Sequence, residues 1–321
     1  MKVFITRRIF PEALLQLEKH GIDYEMNTGL PLGKPELIAK VKDAEGLICL
    51  LSDRIDREVL EASSLKIVAN VAVGYDNIDV EAATELKIMV TNTPGVLTEA
   101  TADLTFGLIL AVARRIVEGD KLMREGHFLG WELDLLLGTD VHGKTLGVVG
   151  FGRIGQAVAR RARGFGMEVL YFNRSRKPEA ERELGAEFVP FEELLQRSDF
   201  ISIHLPLTPE THHLFSAKEF KLMKPTAFLI NVARGSIVDE EALVQALKAG
   251  ELAGAALDVF EHEPRVHPDL LKKENVVLTP HIGSAGRETR IKIALIAVEN
   301  VIAALSGRRP SYLVNPEVWE T

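Results

Sequence analysis

At 321 residues, 46% hydrophobic and 26% charged, the chain has the material for about two cores of ordinary soluble proportions. Its net charge of −8 disfavours nonspecific attraction to nucleic acid, and its longest strongly apolar run, Leu104 to Ala113, is too short to span a bilayer. One cysteine, Cys49 in GLICLL, excludes an internal disulfide framework and reads as a buried structural thiol; MKVFIT runs straight into a strand pattern, so a reduced, cytoplasmic setting without a leader is expected.

In the first third, short β-branched runs alternate with helical stretches. KVFIT precedes PEALLQLEKHG, GLICLL precedes DREVLEASS, LKIVANVAVG precedes NIDVEAATELK, and IMVTNTPG follows. Such alternation implies a parallel sheet covered by helices. A helix is expected from Thr98, as N-cap, through Glu99 at the positive helix end to Arg114 and Arg115. It is apolar nearly all round, which predicts burial between elements. A second alternation opens at KTLGVVGFG and runs through EVLYFN, FISIHLPL, TAFLINVARG, AGAALDVF and NVVLTPHIG. Many of these runs are apolar on both faces, as in a doubly covered parallel sheet. A last helix is predicted from about Arg287 to Leu305, with Ile291, Leu295, Val298 and Ile302 as its stripe and Gly307 as its stop. The class is α/β, with the second alternation inserted into the first.

Gly150, Gly152 and Gly155 form G-x-G-x-x-G in GFGRIGQ, after a predicted strand and at the start of a predicted helix. In that context the pattern reads as the phosphate turn of a dinucleotide site, with Arg153 and Ile154 opening the helix whose N-terminus attracts the pyrophosphate. About 20 residues further on, an acid usually holds the adenosine ribose. Here that place holds Asn173, Arg174, Ser175 and Arg176. A 2′-phosphate would be repelled by an acid but suits two guanidiniums and a hydroxyl, so NADP(H) is the expected cofactor, with NAD(H) still possible. The competing reading of RSRKPEAE is a solvated charged loop.

Arg234 follows the strand in LINVARGSIVDEEAL, Glu263 lies in LDVFEHEP and His281 in LTPHIGSA. Ligands of open α/β sheets bind beyond the carboxyl ends of the strands, so all three are candidates for one crevice. Taken singly, Arg234 could cap local carbonyls, Glu263 could be a surface acid and His281 a structural histidine.

Across nearly the whole chain, NVAVGYDNID, GKTLGVVGFGRIG, NVARGSIVDEEAL, ALDVFEHEP and TPHIGSA occur in an order that resembles the D-isomer-specific 2-hydroxyacid dehydrogenases. Within that family the chain looks most like the glyoxylate and hydroxypyruvate reductases. The resemblance implies a Rossmann-type dinucleotide-binding domain, residues 99–286, inserted in a split flavodoxin-like substrate domain, residues 1–98 and 287–321. It also implies a homodimer with the region 98–115 at the contact, and a small 2-oxo acid as substrate. Arg234 would then bind the substrate carboxylate and polarise its carbonyl. His281 would protonate the developing alkoxide, and Glu263 would favour the imidazolium. Val73 and Gly74 match the family's carboxylate-binding turn, Leu51 a wall of the pocket, and Trp131 a residue that closes the neighbouring subunit's site. Val232, Ala233 and Gly283, with Arg234 and His281, match contacts on the nicotinamide side, and Thr101 lies near the crevice.

Several readings compete. A metal set from His262, Glu263 and His267 lacks the helical spacing of such sites, and His212 and His213 read as loop residues, so no metal is expected. A phosphoglycerate dehydrogenase or a dinucleotide-sensing corepressor remains an alternative. Formate dehydrogenases usually carry glutamine where this chain has Glu263.

Overall fold

Among the described residues, 1–319 of the computed structural model, every strand pair in the two sheets is parallel, as runs apolar on both faces require. The chain forms two units: Met1–Leu97 with the segment from Ala285 onward, and Thr98–Ser284.

The first unit holds β1 (Lys2–Ile5), β2 (Asp23–Met26), β3 (Gly46–Cys49), β4 (Ile67–Asn70) and β5 (Met89–Thr91), in the order β2-β1-β3-β4-β5. That order is flavodoxin-like. Alternate side chains feed two layers. Leu47, Val68 and Val90 pack with Val59 and Ile78 on one face. Ile5, Ile48 and Ile67 pack with Leu17, Val298 and Val301 on the other. The helix Arg287–Leu305 lies on β3 and β4 beside the helix Pro11–Lys19, so the chain that leaves this unit after Leu97 returns to it. Its buried face takes in Val298 and Ile302 of the expected stripe but extends to neighbouring positions in place of the other two. Ile293, Ala294, Ala297 and Val301 are buried, whereas Ile291 and Leu295 are only half-buried.

The second unit holds β6 (Thr145–Val149), β7 (Glu168–Phe172), β8 (Ala186–Phe188), β9 (Phe200–Ile203), β10 (Phe228–Asn231), β11 (Gly254–Leu257) and β12 (Val276–Leu278), in the order β12-β11-β10-β9-β6-β7-β8. Counted within the unit, this is the doubly wound order 3-2-1-4-5-6 with one strand added. The reversal falls between β6 and β9, where a nucleotide belongs.

The helix Thr98–Ala113 packs on the helix Arg153–Gly164 and on β10 and β11, burying Phe106, Leu108, Ile109 and Val112. Two details differ from expectation. Thr98 is the first helical residue instead of the cap, and the helix stops short of Arg114. The Ala113 carbonyl is taken by the Thr139 N–H at 2.8 Å. Gly138 packs so tightly there that a Cβ would stand 2.3 Å from the same oxygen. Arg115 then adopts φ +52° and starts a second helix, Ile116–Arg124. Exposed apolar side chains gather in the stretch after these helices, among them Leu129, Trp131 and Leu133. No helix among the described residues is long and apolar enough to cross a membrane.

Candidate active site

The phosphate turn is built by crowding on one side and space on the other. Gly150, at φ +97°, sits where a Cβ would meet the His204 backbone at 2.7 Å, and a Cβ on Gly155 would meet the Gly150 carbonyl oxygen at 2.2 Å. Gly152 has open space around it. Only glycine satisfies the first two positions, and the third leaves room for a pyrophosphate against the backbone. The helix beginning at Arg153 has no side-chain cap, so its first N–H groups, including that of Ile154, are available to an anion. These residues fit a dinucleotide.

Asn173 ties the next loop to this turn. Its Oδ1 accepts from the Phe151 N–H at 3.3 Å and its Nδ2 donates to the Ser175 carbonyl at 2.9 Å. Beyond it the two arginines part company. Arg176 is engaged with Glu181 through Nε and Nη2, at 2.8–3.0 Å. Arg174 and Ser175 are exposed. The Glu210 carboxyl is held below its usual range by the Thr208 hydroxyl, by its own amide and by the charge of Arg174.

Arg234, Glu263 and His281 lie beyond the carboxyl ends of the adjacent strands β10, β11 and β12. Asn231, 1% exposed, shapes the Arg234 turn: its Nδ2 donates to the Arg234 carbonyl and its Oδ1 accepts from Ala233. Val232 is buried and Ala233 half-buried beside it. Gly235 presses on the Glu263 loop, where a Cβ would lie 1.9 Å from the Phe260 carbonyl carbon. Close packing thus fixes the Arg234 turn against the loop that carries the acid.

His281 Nδ1 stands 2.9 Å from Glu263 Oε2 and 3.2 Å from Oε1. The Phe260 N–H donates to Glu263 Oε1 at 3.0 Å. Partial burial works to raise the Glu263 carboxyl, but the hydrogen bond and charge of His281, the Phe260 amide and the charge of Arg234 outweigh it, and the carboxyl lies below its usual value. Glu263 is therefore a carboxylate over the working pH range. With Nδ1 tied to it, Nε2 is the ring nitrogen left to meet a ligand.

Asp258, which the sequence did not single out, is fully buried and holds the histidine loop. Its carboxylate accepts from Thr279 Oγ1, the Ile282 N–H and the Gly283 N–H, at 2.6, 2.8 and 2.7 Å. Thr101, 4% exposed, packs beside Gly283. Another histidine, His204, lies next to the glycine turn, but burial pushes it down to about 3 and Ser202 Oγ sits 2.7 Å from its Nε2. It remains neutral and is not a proton donor.

In the first unit, the Asn70 amide donates to the Gly74 carbonyl and the Asn92 amide to the Val73 carbonyl. The Val73 and Gly74 N–H groups donate to no acceptor among the described residues. A turn with its carbonyls held and its amides open is suited to an anion. Leu51 is half-buried in the turn after β3. Trp131 is 80% exposed, so it is not packed within its own chain.

Comparison with known proteins agrees with this geometry. The sequence profile of the D-isomer specific 2-hydroxyacid dehydrogenase NAD binding domain matches residues 106–283. A glyoxylate reductase of Thermococcus litoralis is 54% identical over 99% of this chain and 97% of its own length. Among solved structures, a glyoxylate reductase from Paecilomyes thermophila matches with TM-score 0.87 at 34% identity, covering 99% of both chains. An NADPH-dependent glyoxylate/hydroxypyruvate reductase from Sinorhizobium meliloti, in complex with NADP and malonate, matches with TM-score 0.86 at 34% identity over 98% of this chain and 96% of that one. The doubly wound unit, its phosphate turn and these relatives define an oxidoreductase that uses a nicotinamide dinucleotide. The chain belongs to the D-isomer specific 2-hydroxyacid dehydrogenase family.

The Glu263–His281 pair carries a pH prediction. Glu263→Gln removes the carboxylate held against His281 Nδ1, so the basic limb of the pH–rate profile for reduction should move down. A limb that stays in place would remove Glu263 from proton transfer.

Proposed function

We propose that the protein reduces small 2-oxo acids, glyoxylate and hydroxypyruvate, to glycolate and D-glycerate, with NADPH preferred and NADH accepted. The observation that carries this reading is the Glu263–His281 pair placed beside the Arg234 turn at the ends of β10–β12. When bound, the nicotinamide supplies hydride to the carbonyl carbon. The Arg234 guanidinium binds the substrate carboxylate and polarises the carbonyl oxygen. His281 Nε2 donates its proton to the alkoxide as charge develops there, and Glu263 holds Nδ1 and stabilises the imidazolium. The open amides of Val73 and Gly74 offer hydrogen bonds to a carboxylate, and Leu51 limits substrate size. Val232, Ala233 and Gly283 bound the nicotinamide side.

For the cofactor, Arg174 and Ser175 receive the 2′-phosphate, while Arg176 is already held by Glu181 and contributes less. Steady-state rates with a panel of 2-oxo acids against NADPH and NADH test both halves of the reading. Arg174→Ala should lower the ratio of kcat/KM for NADPH over NADH about 10- to 100-fold, the worth of a charge-assisted hydrogen bond. An unchanged ratio ends the arginine reading. Tight NADPH binding with no turnover on any 2-oxo acid ends the reductase reading in favour of a sensor.

The exposed Leu129, Trp131 and Leu133 are assigned to a homodimer contact, with Trp131 covering the partner's site. The part of the helix Thr98–Ala113 that is not buried, with Leu104, Leu110 and Ala111 half-buried, is assigned to the same contact. Sedimentation equilibrium should give twice the chain mass at micromolar concentration; a monomer mass removes this part.

A further inference from the structure

Apart from the Glu263–His281 pair, three side chains with metal-ligating chemistry converge among the described residues: His212, His213 and Glu261, whose ligand atoms all lie within 4.8 Å of one another. His213 Nε2 stands 2.6 Å from Glu261 Oε1, and the two imidazoles are stacked with centroids 4.0 Å apart. We propose that these residues form a binding site for a divalent cation of borderline softness, Zn2+ or Ni2+. The site is separate from the reductase reading and does not rest on it.

The donor set is the first reason. Two imidazoles and a carboxylate suit such ions, and three protein donors leave a fourth position for water. Donors around a four-coordinate zinc lie roughly 3.3 Å apart. The ion takes the place of the proton between His213 and Glu261, and rotation of the exposed His212 ring completes the triangle.

The second reason is that two of the three ligands are already fixed. The His213 N–H donates to the Ser236 carbonyl at 2.8 Å, with its own backbone in the left-handed region at φ +52°. That conformation is uncommon for a residue with a Cβ, and here the hydrogen bond to Ser236 helps to hold it. Glu261 is anchored by its N–H, which donates to Glu240 Oε1 at 2.8 Å.

The local field is the third. Glu240 is 5% exposed and stands against Glu261, whose N–H it accepts, so two carboxylates crowd one corner of the site. A divalent ion on Glu261 offsets that repulsion. It would also join two loops, the one after β9 and the one that carries Glu263. Sequence spacing hides the set, because His213 and Glu261 are 48 residues apart.

The test is titration of the full chain, stripped with chelator and desalted, with Zn2+ in competition with a chromophoric chelator. Wild type should bind one Zn2+ per chain. His212→Asn and His213→Asn should each weaken the affinity at least ~10-fold, the low end of what disturbing even outer groups of a metal site costs. Asparagine tolerates the left-handed backbone at 213, and circular dichroism confirms folding. His127→Asn, on the exposed stretch after the second helix, should bind as wild type does. Absence of saturable binding at micromolar Zn2+, or wild-type affinity in either the 212 or the 213 variant, overturns the site and leaves a simple His213–Glu261 ion pair.

Discussion

His281→Asn is expected to lower the turnover number for glyoxylate about 10²- to 10⁴-fold, the range a positioned general acid contributes, with NADPH affinity near wild type. Asparagine is the informative replacement at this position. Residue 281 has φ +52°, a conformation asparagine accepts, and its amide can still donate to Glu263. The fold of the loop is held independently, because Asp258 binds the Ile282 and Gly283 N–H groups and the Asp258 carbonyl accepts from the residue 281 N–H. The phosphate turn and the Asn173 clamp involve no atom of residue 281, so cofactor binding should survive. Stopped-flow mixing with NADPH separates the two quantities. Turnover within a few-fold of wild type would show that the alkoxide takes its proton elsewhere.

How far the sequence could be read follows from which forces are local. Two-faced apolar runs such as FLIN and GAAL are central strands wherever they occur, and β10 and β11 are fully buried. The glycine turn is set by steric limits within a few residues, so Gly150 and Gly155 stand where the pattern puts them. Two edge strands, β2 and β8, escaped because their pattern is mixed: β2 reads DYEM, half-exposed and carrying two acids. The end of the helix at Ala113 was hidden because a distant loop, Gly138–Thr139, imposes it. Asp258 was missed for a similar reason, since two of its three partners are backbone amides 24 and 25 residues away that carry no side-chain signature. The Arg176–Glu181 pair was closer to legible, being five residues apart within RKPEAE, but the choice between a cofactor phosphate and a local carboxylate is made by loop geometry. Charge type can be read from sequence, whereas the partner is chosen in three dimensions.

Arg234→Gln should lower kcat/KM for glyoxylate by about 10³-fold or more, affecting KM and kcat together. Two losses combine. Removing one member of a charged, hydrogen-bonded pair costs about 2–5 kcal/mol in binding. Losing a donor to the carbonyl oxygen, where negative charge grows as hydride arrives, costs on the order of 10²–10³ in kcat. The turn itself should persist, because Asn231 binds the backbone of residues 233 and 234 and Gly235 is packed on Phe260. Arg234→Lys separates the contributions. An ammonium restores charge without the planar fork, so KM should recover further than kcat. Arg234→Lys keeps a positive charge near Glu263, and Glu263 still accepts from the Phe260 N–H and pairs with His281, so the pH profile of the lysine variant should keep its shape. A glyoxylate KM and turnover within a few-fold of wild type in Arg234→Gln would mean that the guanidinium serves the Ala233 carbonyl, 2.8 Å from its Nη1, and not the substrate.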